Sequence, residues 1–157
     1  PYAVIHAGTA RPEKYWLPER WTAIADSLHE RYGLLPVFTG ATAPDEVEHL
    51  AAVRSAMKGP SADLAGATDL AGLAGVIAGA RVFCGVDTAA MHLADAVRTP
   101  TVALFGPTNP YQWRPRHTQA VVIRADTQEP FDVKQKRGPM EHISVERVRA
   151  GLGALLG

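Results

Sequence analysis

Short apolar runs recur along the chain, and each stops where polar residues, glycine or proline gather. Tyr2–His6 is the first run of strand length, and a loop from Ala7 to Trp16 follows it. Gly8 in that loop is expected to need a positive φ. Pro18 suits a first helical turn; Trp21, Ile24, Ala25 and Leu28 recur at helical spacing, and Gly33 stands where the helix should end. Leu34–Thr39 reads as the second strand, with Pro36 near its start. Asp45–Met57 reads as a helix with Val47, Leu50, Ala51 and Val53 inward, broken at Lys58–Ser61. Ala62–Ala65 is a minimal third strand, and a helix of small residues runs from Asp69 to Ala80.

The next stretch is the densest in signals. Arg81–Gly85 is a strand, Val86–Thr88 a turn, Ala89–Val97 a helix and Pro100–Phe105 a fourth long apolar run, closed by the Gly106–Pro110 loop. Ala120–Arg124 is a last strand, Asp126–Pro139 reads as polar loop, and Ser144 is placed to cap a final helix carrying Val145, Val148, Leu152 and Leu155. Strands alternating with helices require right-handed crossovers and a parallel sheet covered on both faces. The expected fold is therefore α/β and Rossmann-like.

Composition narrows the picture. A chain of 157 residues fits one domain, and its formal net charge of +0 gives no general attraction for nucleic acid. The single cysteine, Cys84, lies inside an apolar run and reads as a packing thiol, so a reducing compartment is expected. No apolar run approaches the ~20 residues of a membrane span. The six histidines show no metal-site spacing with cysteines or carboxylates, so no metal or cofactor is expected. The chain starts at Pro1 and enters a strand at once, which suggests a piece of a larger protein.

Candidate chemistry sits where the strands stop. Asp87, Thr88 and Ala89 bring a carboxylate, a hydroxyl and open backbone N–H groups to a helix start, which can hold phosphate. Asp87 either caps that helix or accepts from sugar hydroxyls, and His92 stands one turn further on. An ordinary N-cap with a half-buried, satisfied histidine accounts for the same spacing equally well. Arg11 and Lys14, after the first strand, offer cations for a diphosphate, and Thr9 offers a hydroxyl donor. Trp16 and Trp21 are expected to pack beneath that loop. There is no G-x-G-x-x-G fingerprint, Walker A sequence or G-x-S-x-G elbow.

Taken in order, Ile5–Thr9 with Lys14–Pro18, Leu64–Leu70, Val86–Ala94, Pro100–Thr108 and Met140–Leu156 resemble glycosyltransferase family 9, the heptosyltransferases. The resemblance covers nearly the whole chain. It implies the C-terminal half of a GT-B fold, with residues 1–157 forming a nucleotide-sugar donor-binding domain. An N-terminal acceptor-binding domain would lie outside this chain and would supply the general base.

By that resemblance Thr9 and Lys14 contact the diphosphate, and Lys14 offsets charge as ADP departs. Asp87 binds heptose hydroxyls, Thr88 and Ala89 hold phosphate, His92 supports the turn, and Glu46 lies on the ribose or adenine side. The implied reaction is inverting transfer of heptose from ADP-heptose to a lipid-linked saccharide of the lipopolysaccharide inner core. It would take place on the cytoplasmic face of the inner membrane of a Gram-negative bacterium. Two positions depart from the family pattern. Ala89 stands where glycine is preferred, and Asp95 where alanine is common; its charge is expected to face solvent. The other readings are a non-catalytic nucleotide-sugar module and a GT-B enzyme using UDP-sugars.

Overall fold

The computed structural model describes residues 1–117, 119–126 and 138–157. Six parallel strands form one sheet: β1 (Tyr2–His6), β2 (Leu35–Phe38), β3 (Ala62–Asp63), β4 (Val82–Val86), β5 (Thr101–Phe105) and β6 (Ala120–Arg124). Their spatial order is β3-β2-β1-β4-β5-β6, the doubly wound Rossmann order. The helices are α1 (Pro18–Tyr32), α2 (Pro44–Ser55), α3 (Leu70–Ala78), α4 (Ala89–Ala96), α5 (Pro110–Trp113) and α6 (Val145–Leu156).

Alternation along each strand divides the core in two. Ala3, Ile5, Val82, Cys84, Val86, Val102 and Leu104 point toward α1, α2 and α6. Val4, Phe83, Ala103 and Phe105 point the other way, onto α3 and α4. Strands buried on both faces need no polar positions, which is why they read as unbroken apolar runs. Cys84 is fully enclosed, and burial pushes its thiol up to about 12, so it packs and does not react.

Local signals explain most boundaries. Pro18 opens α1, and Gly33 closes it with a φ of 64°, a left-handed position that glycine adopts without cost. The Ser144 hydroxyl accepts from the Arg147 amide and caps α6.

Four expectations need correction. In α2, Val47 and Ala51 face solvent while Glu46, Leu50 and Val53 face inward. A helix resting on α1 needs only a narrow stripe, and its apolar residues spread around its axis, so the pattern fixes the phase poorly. Strand β3 is only two residues long. Gly8 does not take a positive φ; its missing Cβ makes room for the Glu46 carboxyl group, which a side chain there would strike. Helix α5, a single turn, was not anticipated after the Gly106–Pro110 loop. The expected loop at 126–139, which includes the basic residues Lys134, Lys136 and Arg137, lies outside the described residues apart from positions 126, 138 and 139.

Beneath the β1–α1 loop, Trp16 and Trp21 are both fully buried and meet edge to face with ring centres 5.0 Å apart. The Trp16 indole N–H donates to the Ile143 carbonyl at 3.0 Å, fastening the loop to the segment before α6. Cutting such a side chain back to alanine costs about 3–5 kcal/mol in well-packed cores. That anchorage holds the preceding short 3-10 turn, Pro12–Lys14, in place.

Candidate functional site

The strand order reverses direction between β1 and β4, and the loops leaving two such strands diverge to opposite faces, opening a crevice at their carboxyl ends. Here the two strands are direct neighbours, with His6 in register with Gly85. A groove of about 640 Å³ lies above them, lined by Thr9, Arg11, Lys14, Glu46, Asp87, Thr88 and Ala89 among others. Residues far apart in sequence meet there because their strands end side by side.

The centre of the groove is an ion pair. Lys14 Nζ donates to Asp87 Oδ2 at 3.0 Å and to the Asp87 carbonyl at 2.9 Å. Both side chains are largely enclosed, at 11% and 8% exposure. Two donor hydrogens of the ammonium are thereby engaged, and a third can face the groove. Asp87 is therefore not the cap of α4. Thr88 holds the cap position but makes no side-chain cap bond, its hydroxyl reaching back to the Val86 carbonyl at 3.4 Å. The first-turn amides of α4 thus keep their donors open at a positive helix end, and Ala89 and Ala90 line the groove.

The remaining residues take distinct places. Thr9 is buried, and its hydroxyl oxygen accepts from the Arg11 amide at 3.2 Å, so its own hydrogen stays available. Arg11 lines the groove but its guanidinium turns to Glu13, which leaves Lys14 as the enclosed cation. Glu46 is buried at the start of α2 and accepts from the Ala41 amide at 3.0 Å. His92 does not line the groove; it is half exposed, with Nε2 3.8 Å from Asp87 Oδ1. The Gly106–Thr108 loop does not line the groove either, and Met140 closes over Gly106.

Asp95 corrects a further expectation. Its carboxylate does not simply face solvent: Oδ1 accepts from the Arg116 amide at 2.8 Å and the His117 amide at 3.1 Å. It ties α4 to the segment after α5. Nothing in the local sequence signals this, because the partners lie about twenty positions on and are backbone groups.

Sequence reading also passed over His6, which lines the groove and whose Nδ1 shares a hydrogen bond with Thr39 Oγ1 at 2.9 Å. The available signal was its place as the last, polar residue of an apolar strand. Burial lowers its pKa from 6.5 to about 4. The unfolded chain therefore binds the proton near pH 6.5 and the folded chain only near 4. Stability is undiminished above pH 6.5, falls as pH drops through that window, and carries the full loss of about 3–4 kcal/mol below it. His49, whose ring centre lies 4.5 Å from that of Tyr15, shifts in the same direction through burial. Urea midpoints taken from pH 7 to 4.5 should show the decline, and His6→Gln should flatten much of it; an unchanged slope in that variant would assign the acid sensitivity elsewhere.

Among the described residues no cluster of three histidine, cysteine, aspartate or glutamate side chains is disposed to hold a metal ion, and no helix is long and apolar enough to cross a membrane.

A doubly wound parallel sheet with an anion-ready groove at its switch point defines a Rossmann-like α/β domain. The chain belongs to glycosyltransferase family 9 (heptosyltransferase), whose family model matches residues 1–143. It is 39% identical over 110 residues to lipopolysaccharide heptosyltransferase 1 of Pseudomonas aeruginosa, a match covering 70% of this chain and 30% of that protein. It is 37% identical over 118 residues to lipopolysaccharide heptosyltransferase 3 of Escherichia coli, covering 73% of this chain and 34% of that protein. The solved structure of E. coli ADP-heptose lipopolysaccharide heptosyltransferase II superimposes with a TM-score of 0.85 at 28% identity, over 99% of this chain and 46% of that one. The chain thus spans about a third of the length of these curated relatives and under half of that structure.

Proposed function

We propose that residues 1–157 are the donor-binding half of an inverting heptosyltransferase that carries heptose from ADP-heptose to the lipopolysaccharide inner core. The observation that carries this reading is the shared focus of Lys14, Asp87 and the open amides of α4, brought together by the adjacent ends of β1 and β4. It is supported by relatives whose names specify lipopolysaccharide heptosyltransferases and, for one solved structure, ADP-heptose.

In this reading the diphosphate lies against the α4 amides, Thr88 and Thr9, with the free hydrogen of Lys14 Nζ directed at it. Glu46 accepts from ribose hydroxyls at the far side. Asp87, fixed by Lys14 through Oδ2, keeps Oδ1 for hydroxyls of the heptose. The acceptor hydroxyl forms its bond to the anomeric carbon as the bond to ADP breaks. Its proton goes to a base in the acceptor-binding half, and the charge gathering on ADP is met by Lys14 and the helix end. The acceptor is a lipid-linked saccharide, which places the whole enzyme at the cytoplasmic face of the inner membrane. Without the other half, this chain binds donor and does not transfer sugar.

Calorimetry tests the reading. ADP and ADP-heptose should bind the folded chain, and UDP should bind at least tenfold more weakly. A UDP preference would favour a different nucleotide-sugar enzyme. No heat at millimolar ADP, with folding confirmed by circular dichroism, would remove the donor site altogether.

A further inference from the structure

Outside the groove, beside His92, stands a half-exposed tryptophan. Trp113 is 50% exposed, whereas the other two tryptophans, Trp16 and Trp21, are fully buried. It closes α5, and its ring meets His92 at 6.2 Å between centres, inclined by 69°. His92 in turn has Nε2 3.8 Å from Asp87 Oδ1. A continuous path thus runs from the carboxylate assigned to the donor sugar, through one imidazole, to an open indole face. Trp113 lies outside the lining of the donor groove, so its ring is free for something other than the nucleotide.

The backbone that carries the indole is held on both sides. Asn109 Oδ1 accepts from the Tyr111 amide at 3.0 Å, and the Asn109 carbonyl accepts from the Trp113 amide at 3.1 Å. The buried Pro110 takes the Arg114 amide at 2.8 Å. Asp95 then grips the backbone at Arg116 and His117. Covering an exposed aromatic ring with a ligand buries apolar surface, and a fixed backbone mount lowers the entropy lost when that ligand binds. Arg114 and Arg116 flank the mount and line an adjoining groove of about 360 Å³. Among the described residues neither guanidinium has an acidic partner.

We propose that Trp113 is the stacking platform of an acceptor-sugar subsite on this domain, with Asp95 as the positioning residue that holds it and Arg114 and Arg116 facing anionic groups of the acceptor. An aromatic face offers a sugar ring apolar contact along its C–H side without competing for hydroxyls, and guanidinium groups recognise phosphate or carboxylate. The inference rests on the donor reading above, since Asp87 marks where the donor sugar ends and the acceptor begins.

The test uses the complete transferase, this domain together with its acceptor-binding half, and a deacylated phosphorylated inner-core oligosaccharide as acceptor. Trp113→Ala should raise the acceptor KM tenfold or more and leave ADP affinity by calorimetry unchanged, and Trp113→Phe should restore most of the loss. Asp95→Ala should raise the acceptor KM by a smaller factor and make Trp113 emission more accessible to iodide. The oligosaccharide should shield from iodide the part of the emission that Trp113→Phe removes. An unchanged acceptor KM in Trp113→Ala would overturn the subsite, and so would a matching loss of ADP affinity, which would place the indole on the donor. Absence of ADP binding in the unaltered enzyme would instead defeat the donor reading on which the subsite depends.

Discussion

Lys14→Ala is expected to weaken ADP binding by about 1.5–3 kcal/mol, roughly ten- to more than a hundredfold, through loss of one charge-assisted contact to the diphosphate. It should also destabilise the fold. Lys14 is the partner of Asp87, and the carboxylate is only 8% exposed. Removing one member of an enclosed pair strands the other, at a cost of about 3–5 kcal/mol. The two effects separate in the double variant. Lys14→Ala with Asp87→Ala should regain most of the thermal stability but only the part of the ADP affinity lost to the uncompensated carboxylate. If the single variant binds ADP as tightly as the parent, the lysine serves the aspartate alone.

Asp87→Ala should behave in the opposite way toward the ligand. Taking away a negative charge 3.0 Å from Lys14 Nζ leaves that ammonium wholly available to phosphate, so ADP affinity should hold or rise. The preference for ADP-heptose over ADP should fall about tenfold or more, because hydroxyl donors lose a charged acceptor worth ~1.5–3 kcal/mol. Calorimetry with both ligands checks the difference. Equal losses for the two would mean that Asp87 only shapes the groove. A loss confined to ADP would reverse the roles given to this pair.

The geometry also shows why the two roles share one pair. An aspartate beside a diphosphate site is unfavourable unless its charge is offset, and Lys14 supplies that offset through two hydrogen bonds. The helix end supplies the remaining positive potential without a second cation, which fits the turning of Arg11 toward Glu13. Burial of the pair excludes competing water, and each donor facing the groove gains strength from the lower local dielectric.

Much of this was legible in the sequence. Strands packed on both faces must be apolar throughout, so β1, β4 and β5 announced themselves and the parallel sheet followed. Polar residues at the ends of those runs marked the groove, and Thr9, Lys14, Glu46, Asp87, Thr88 and Ala89 all line it. Helix α2 was placed correctly but turned wrongly, because its apolar residues spread around the axis and the buried face includes a carboxylate, Glu46. Helix α5 escaped notice because one turn opening on proline has too few residues for periodicity to appear.

By itself, then, the sequence determined the order of elements and which residues would stand at the carboxyl edge. Those properties follow from the period of apolar positions and from where it is interrupted. Only the tertiary structure decided who meets whom: that Lys14 holds Asp87, that Asp95 grips a backbone segment beyond β5, and that His92 faces Trp113. Such contacts join residues 21 to 73 positions apart, or in the case of Asp95 reach main-chain groups that carry no side-chain signature. Their geometry is set by how neighbouring strands pair and where packed helices come to rest, which is a property of the assembled sheet and of no single stretch within it.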